Sequence, residues 1–299
     1  MGWKILRGFL IMFIILLGVL FLLLLPREIK ITQVGRLSFI AEYPFSMELI
    51  KKNILTFIDY MIANKGLGTI KTGMTVSQDT ILLFTRSLSI ILPCFFACMV
   101  TGIILGVAQF RFQAKAIGKI FAFFIWLCSS IPDFFLYIAF QYLLIKLIKV
   151  GLPDFNLYGN DNWYSFLFPT IAITIFPMVH MAKFLYVSLQ HESKQNYIKT
   201  SLAKGMTDLQ VLLHMLRNCA SALLHQTQII MLYILTSLPI IEKLSNFHGA
   251  GYQLLESILH NEDNRAMGLI IPFLCLMLVV ITIAQLAKTK LLPVNGGRA

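Results

Sequence analysis

Charge is scarce in this sequence, and negative charge is the scarcer sign: 13% of the 299 residues are charged, with 25 Lys and Arg against 14 Asp and Glu. A water-soluble chain of this length needs about twice that share to cover its outside, so a soluble globular domain is excluded. Cysteine is sparse too. Of five, Cys94, Cys98, Cys128 and Cys275 fall in apolar runs and Cys219 at the start of another, without CxxC spacing, which points to packing rather than disulfides or metal. The six histidines, at 180, 191, 214, 225, 248 and 260, lack zinc-ligand spacing, and no His-Glu-x-x-His helix occurs. His248 and His260 share a loop with Glu256, Glu262 and Asp263, which reads as a solvated loop before it reads as a metal site. The nearest approach to a phosphate loop is "GTIKTGMT" at 68–75, with Met74 where a Walker A needs lysine. Basic residues form no dense run with interleaved aromatics, so the net charge of +11 is no nucleic-acid footprint. Catalytic residues, a metal centre and a cofactor are therefore not expected in this chain.

Apolar residues fill the space left, at 58%. Six segments have the roughly 20 apolar residues that a helix needs to cross a bilayer: near 8–25, 82–108, 118–145, 165–189, 221–245 and 266–287. The expected fold is all-α and polytopic, with six transmembrane helices. The first run, "FLIMFIILLGVLFLLLL", exceeds a signal-peptide core and no small-x-small site follows it, so a retained span is expected. Charge sets the orientation. Segments 1–7, 109–119, 183–217 and 288–299 carry thirteen basic residues and two acidic ones, while the rest of the chain carries twelve of each. Placing the basic segments and both termini in the cytoplasm satisfies the positive-inside rule.

These spans divide the chain into a tail and first helix (1–25), an outer segment (26–79), a five-helix core (80–290) and a tail (291–299). In the outer segment Met47, Ile50, Ile54, Phe57, Ile58 and Met61 recur at helical spacing opposite Lys51, Lys52, Asn53, Thr56 and Asp59. An amphipathic helix lying on the outer membrane face is expected, capped by Ser46 and ended by Gly66; a landing surface for an extracellular partner is the alternative.

One polar, basic island interrupts the spans: "YIKTSLAKGMTDLQVLLHMLRN" at 197–218. Residues 197–204 read as a short helix that Gly205 ends, and "TDLQ" is a capping box in which Thr207 starts a second helix and Gln210 reaches back. A short helix hinged to a span would act as a lever whose small side chains admit a partner's groove and whose lysines grip it. An ordinary basic loop at anionic headgroups fits the same pattern. Two acidic residues also stand out. Asp133 falls near the middle of the third span, where a carboxylate costs about 2.5–3.5 kcal/mol, and reads either as an internally bonded Asp or as a pathway group for cationic substrates. Glu242, beside Lys243 at the outer end of the fifth span, reads as an interfacial ion pair or a gate element.

"YIKTSLAKG" with "HMLRN" resembles the cytoplasmic signature of inner-membrane permeases of binding-protein-dependent ABC importers, specifically the first permease subunit of the dipeptide, oligopeptide and nickel type. That signature runs Tyr-x-Arg-Thr-Ala-x-Ala-Lys-Gly and then His-x-Leu-Arg-Asn, matched at Tyr197, Thr200, Ala203, Lys204, Gly205, His214, Leu216, Arg217 and Asn218, with Lys199 as a basic equivalent. "GLGTIKTGMTV" (66–76), "SSIP" (129–132), and Glu242 with "FHGAGYQLL" (247–255) are similar to further family segments, in the same order. Departures are Ser201 and Leu202 for alanine and arginine, Ala222 and His248 for prolines, and no Asp-Pro-Arg in "KTKLLPVNGGRA". These bear on the substrate and on which ATPase pairs with the chain.

The resemblance implies a type I ABC importer permease fold in a bacterial cytoplasmic membrane, moving peptides, nickel or a similar small solute. It implies a coupling helix at 197–205, with Tyr197, Lys199, Thr200, Ser201, Ala203, Lys204 and Gly205 seated in an ATPase cleft. Partners implied are a second homologous permease, two ATPase subunits that carry ATP and Mg, an extracellular or periplasmic substrate-binding protein, and membrane lipid. An ion-gradient-driven secondary transporter or channel is the alternative, but it would need broken helices in two repeated halves. A membrane-embedded enzyme would need a nucleophile or metal cluster within the spans.

Overall fold

The computed structural model describes residues 2–26, 30–33, 39–42, 45–151 and 158–291; the tail from 292 onward and parts of the 26–44 and 146–164 segments lie outside them. Ten helices and one small hairpin are described: α1 (Gly2–Leu23), β1 (Lys30–Gln33), β2 (Phe39–Glu42), α2 (Met47–Ala63), α3 (Val76–Phe112), α4 (Ala116–Ser130), α5 (Asp133–Lys149), α6 (Leu167–Glu192), α7 (Asn196–Ala203), α8 (Asp208–Leu244), α9 (Ala250–Leu259) and α10 (Asp263–Leu291). Among the described residues the β-structure is this antiparallel pair, with Lys30 opposite Glu42 and Gln33 opposite Phe39, and a lone bridge between Thr69 and Thr75.

Four helices, α3, α6, α8 and α10, are long and apolar enough to cross a membrane, and a fifth crossing results if α4 and α5 count as one span. That pair corrects the uninterrupted helix expected over 118–145. Its axis turns by 104° at Ile131-Pro132, because proline has no N–H for the helix and its ring excludes the residue before it from the helical region. In α1 the apolar part, Leu10–Leu23, is shorter than the four long spans. The large apolar side chains exposed along these helices, Phe96, Ile104, Ile120, Phe123 and Ile283 among them, suit a lipid solvent, whose tails reward no burial.

The chain forms two compact units. The first comprises residues 1–84 and 253–274. Here the helix from Met47 has its expected start, with the Ser46 hydroxyl accepting from Leu49 N–H. Its end differs: Asn64 caps it, Lys65 takes the left-handed conformation (φ 50°), and Gly66 N–H bonds Met61 O, one residue off the Gly66 stop. Ile50 and Phe57 are buried, and Leu24, Phe57 and Met267 make a core flanked by Leu16, Leu20, Ile54, Met61 and Leu67. Part of the apolar stripe of α2 is thus spent on its own chain, while Met47 and Ile58 remain exposed. "GLGTIKTGMTV" makes a tight turn with Ile70 N–H on Met74 O and Gly73 N–H on Ile70 O. Thr75 and Gln78 then bond each other's backbone N–H at the start of α3. Arg265 binds Asp79 at 2.8 Å and Glu262 at 3.5 Å, and Lys71 reaches Glu262 at 3.3 Å.

The second unit comprises residues 85–252 and 275–299. In it α4 and α5 pack on α6, and α5, α6 and α7 on α8. Ile90, Ile91, Cys94 and Cys98 from α3, Met181, Leu185 and Leu189 from α6, and Ile230, Met231, Ile234, Leu238 and Ile241 from α8 are buried. Helices pack here by close approach. A Cβ on Gly102 would stand 2.9 Å from Met178 O, and one on Gly106 2.9 Å from Ala182 O, so this glycine pair, one helical turn apart, lets α3 lie against the backbone of α6.

Candidate functional site

The polar island at 197–218 folds into two helices about a left-handed glycine. Helix α7 ends at Ala203, Gly205 has φ +79°, and the next helix begins with the full capping box: Gln210 N–H on Thr207 Oγ1 and Thr207 N–H on Gln210 Oε1. That second helix does not stop at the membrane segment. It runs on as α8 for 37 residues, so the island and the span share one rigid rod.

Glu192, the last residue of α6, fastens α7 from the other side. One of its carboxylate oxygens, Oε2, accepts from Tyr197 Oη at 2.5 Å and from Asn218 Nδ2 at 3.5 Å, and the Tyr197 ring lies 5.1 Å from the His214 ring. The signature residues Tyr197 and Asn218 thus share Glu192, and His214 stands against the Tyr197 ring. Burial first, and then the bond to Glu192, push the Tyr197 phenol up to about 12. A neutral phenol donating to a carboxylate is the stable arrangement here.

The two faces of α7 separate the expected contact residues. Lys199, Thr200, Ala203, Lys204 and Gly205 are exposed, as is Leu202 at 51%. Ser201, by contrast, is 8% exposed and its hydroxyl donates to Tyr197 O at 2.9 Å. Together with buried Ile198 and half-buried Tyr197 it forms the inner face of α7, because a helical period of 3.6 residues puts positions 197, 198 and 201 on one side. Ser201 therefore lies on the inner face of α7 and Leu202 on its outer face.

A second constellation forms around Glu242, which is 0% exposed. Its Oε1 accepts from Ser87 Oγ on α3 at 2.6 Å and its Oε2 from Tyr252 N–H at 2.7 Å, and Ser87 Oγ in turn accepts from Ala250 N–H at 2.7 Å. The carboxylate therefore caps the first turn of α9, where unpaired backbone N–H groups and the helix dipole both favour negative charge. The glycines of "FHGAGYQLL" follow from this. A Cβ on Gly249 would stand 2.5 Å from Ser87 Oγ and on top of Glu242 Oε1, and one on Gly251 3.1 Å from Pro239. Glu242 is buried and bonded to Ser87 rather than interfacial, and Lys243 lies over the Tyr252 ring at 4.7 Å.

Asp133 also differs from expectation. It is not held within a continuous span but opens α5 at the bend, half-buried, with Oδ1 accepting from Phe134 N–H at 2.8 Å. Ser87 and Glu192, the partners of Glu242 and Tyr197, carry no mark in the sequence: one is a serine 155 residues from its carboxylate, the other a glutamate off the helical period. Lys183 did carry one, as a cation inside an apolar run. The charge pattern assigns it to the basic segment 183–217, yet it lies within α6, nine residues before the end of that helix. Among the described residues no cluster of three His, Cys, Asp or Glu could hold a metal ion.

Comparison with known proteins bears on the family and the fold. Residues 98–293 match the family model described as binding-protein-dependent transport system inner membrane component. The dipeptide transport system permease protein DppB of Bacillus subtilis (strain 168) is 29% identical over 55% of this chain and 52% of its own length. DppB of Lactococcus lactis subsp. cremoris (strain MG1363) is 26% identical over 62% of this chain and 61% of its own. The glutathione transport system permease protein GsiC of Escherichia coli (strain K12) is 28% identical over 43% and 41%. The chain thus spans about half to three fifths of the length of the first two relatives. A solved chain of the MetNI methionine ABC transporter, in an inward-facing conformation, shares the fold at a TM-score of 0.54 with 14% identity, covering 71% of this chain and 97% of that one. With the family model matched over well more than half its residues, the chain belongs to the inner membrane components of binding-protein-dependent transport systems.

Proposed function

We propose that this chain is the permease subunit of an ATP-driven importer, moving peptides or a similar small solute across the cytoplasmic membrane under the power of separate ATPase subunits. The observation that carries the reading is the island. An exposed short helix, fastened by Glu192 and continuous through a glycine hinge and capping box with a 37-residue span, transmits a push from outside the bilayer along its whole length. Lys199, Thr200, Leu202, Ala203, Lys204 and Gly205 offer the gripping face. Tyr197 and Ser201 hold that face in position from within.

In this reading ATP and Mg sit on two partner ATPases, and a second homologous permease completes the pathway. An extracellular or periplasmic binding protein delivers the substrate. Closure of the ATPase pair rocks α7 and α8 as one body, and the pathway changes sides by alternating access. In this reading the termini and the island lie in the cytoplasm, where the basic segments, Lys183 apart, carry twelve basic residues against two acidic ones. Relatives named for dipeptide and glutathione transport favour a peptide cargo over nickel. Asp133, at the bend between α4 and α5, meets a cationic group on the substrate, and Glu242 holds the α8–α9 turn that gates the outer end.

The test is cross-linking in the complex purified through a tag on this chain. Leu202→Cys should couple to a co-purifying ATPase with an efficiency that changes with bound nucleotide. Absence of any ATPase from the complex, or coupling indifferent to nucleotide, rejects the proposal.

A further inference from the structure

Lys183 is the only Lys, Arg, Asp or Glu of α6 before its last residue. At 1.5 Å per residue it stands about 24 Å from the start of that helix and about 13 Å from its end, well inside the crossing. A charge there costs about 2.5–3.5 kcal/mol, and a lysine whose only task was to reach the headgroups would extend along the helix toward the near end. This one reaches sideways. Its side chain is exposed in the chain, and its ammonium donates to Ser129 Oγ of α4 at 2.7 Å. A hydroxyl orients the cation without neutralising it, and among the described residues no carboxylate lies within ion-pair distance.

The surroundings are built to match. Ser129 and Ser130 donate their hydroxyl protons to the same carbonyl, Trp126 O, at 2.8 and 2.9 Å, which leaves the Ser129 oxygen an acceptor for the cation. Asp133 follows across the 104° bend, and of its carboxylate only Oδ1 has a partner among the described residues. Four residues of chain span at most about 14 Å, so Asp133 stays close to Ser129. Yet Lys183 and Asp133 form no ion pair with each other. Among the described residues neither group has a counter-ion, and a charge of each sign within reach of one short link is complementary to a molecule bearing both.

We propose that Lys183, oriented by Ser129, is a pathway site for the carboxylate of a zwitterionic substrate whose ammonium meets Asp133. The proposal rests on the importer reading and narrows its substrate class. The link from Ser129 to Asp133 bounds their separation at about 14 Å, and two peptide residues carry their end charges at most about 7 Å apart, within that bound.

The tagged complex, reconstituted in vesicles with ATP on the side of the basic segments, tests this with labelled alanyl-phenylalanine and its C-terminal amide. Uptake is normalised to assembled complex. Lys183→Met should slow uptake of the free acid at least tenfold and that of the amide less than twofold, and Lys183→Arg should restore the acid. Ser129→Ala, which keeps every charge, should lower the preference for the acid several-fold, so the idea stays exposed to refutation even where Lys183→Met fails to assemble. Equal loss for both peptides, or a preference unmoved by all three variants, overturns this inference alone. Wild-type complex that moves neither peptide with ATP overturns the peptide-importer reading with it.

Discussion

Replacing Ser87 with alanine removes one oxygen that serves two buried partners. The hydroxyl donates to Glu242 Oε1 at 2.6 Å and accepts from Ala250 N–H at 2.7 Å, and both Ser87 and Glu242 are 0% exposed. A buried polar group left unpaired costs about 1–3 kcal/mol, more where it is charged, so the loss of both bonds should cost about 2–6 kcal/mol. The control lies half a turn along the same helix: Ser89 is exposed and donates only to Arg86 O, so Ser89→Ala should stay within about 0.5 kcal/mol of wild type. Titrating the purified chain from mild micelles into a denaturing detergent, and following tryptophan fluorescence, reads the difference. Combining Ser87→Ala with Glu242→Gln should cost clearly less than the two changes added, because each removes the same bond. If Ser87→Ala and Ser89→Ala unfold within about 0.5 kcal/mol of each other, the capping of α9 by a pinned carboxylate is wrong, and so is the reason given for Gly249.

Gly205→Ala forces a left-handed backbone on a residue with a Cβ and should destabilise the island by about 1 kcal/mol; unchanged proteolysis at residues 204–207 would contradict this. Thr207→Ala removes the side-chain cap of α8, a loss of about 1 kcal/mol that amide exchange in its first turn should report. Maleimide should label Leu202→Cys readily and Ser201→Cys poorly, and the reverse order would invert the assignment of the α7 faces. The fold favours the neutral Tyr197 phenol, so the stability it adds is whole below pH 10 and is lost as pH rises through about 12. Tyr197→Phe should flatten that stretch of the stability curve, and an identical alkaline slope in both proteins would refute the Glu192 bond.

Much of the architecture is legible without coordinates. Apolar run length places the long helices, since a bilayer demands internal backbone bonding over a set thickness. Local chemistry marks the island, because a left-handed glycine and a capping box act within four residues of themselves, and Gly205, Thr207 and Gln210 behave as their neighbours dictate. The same holds for Ser46 ahead of α2. Composition misleads where one residue outweighs the average. Pro132 turns an apolar run of ordinary appearance through 104°, which moves Asp133 from a helix interior to a helix start.

Tertiary structure alone decided which polar groups meet. Glu242 finds Ser87 across 155 positions and Lys183 finds Ser129 across 54, and no periodicity couples such pairs. It also decided which face of α7 is free, turning Ser201 inward and Leu202 outward, because that depends on how α6 and α8 are joined through Glu192. Sequence by itself determined the solvent this chain belongs in and the local starts and turns at Ser46, Gly205 and Thr207, since those follow from transfer energy and local hydrogen bonding. Partnerships between distant residues had to wait for packing, because their energy exists only once both members have left water or lipid together.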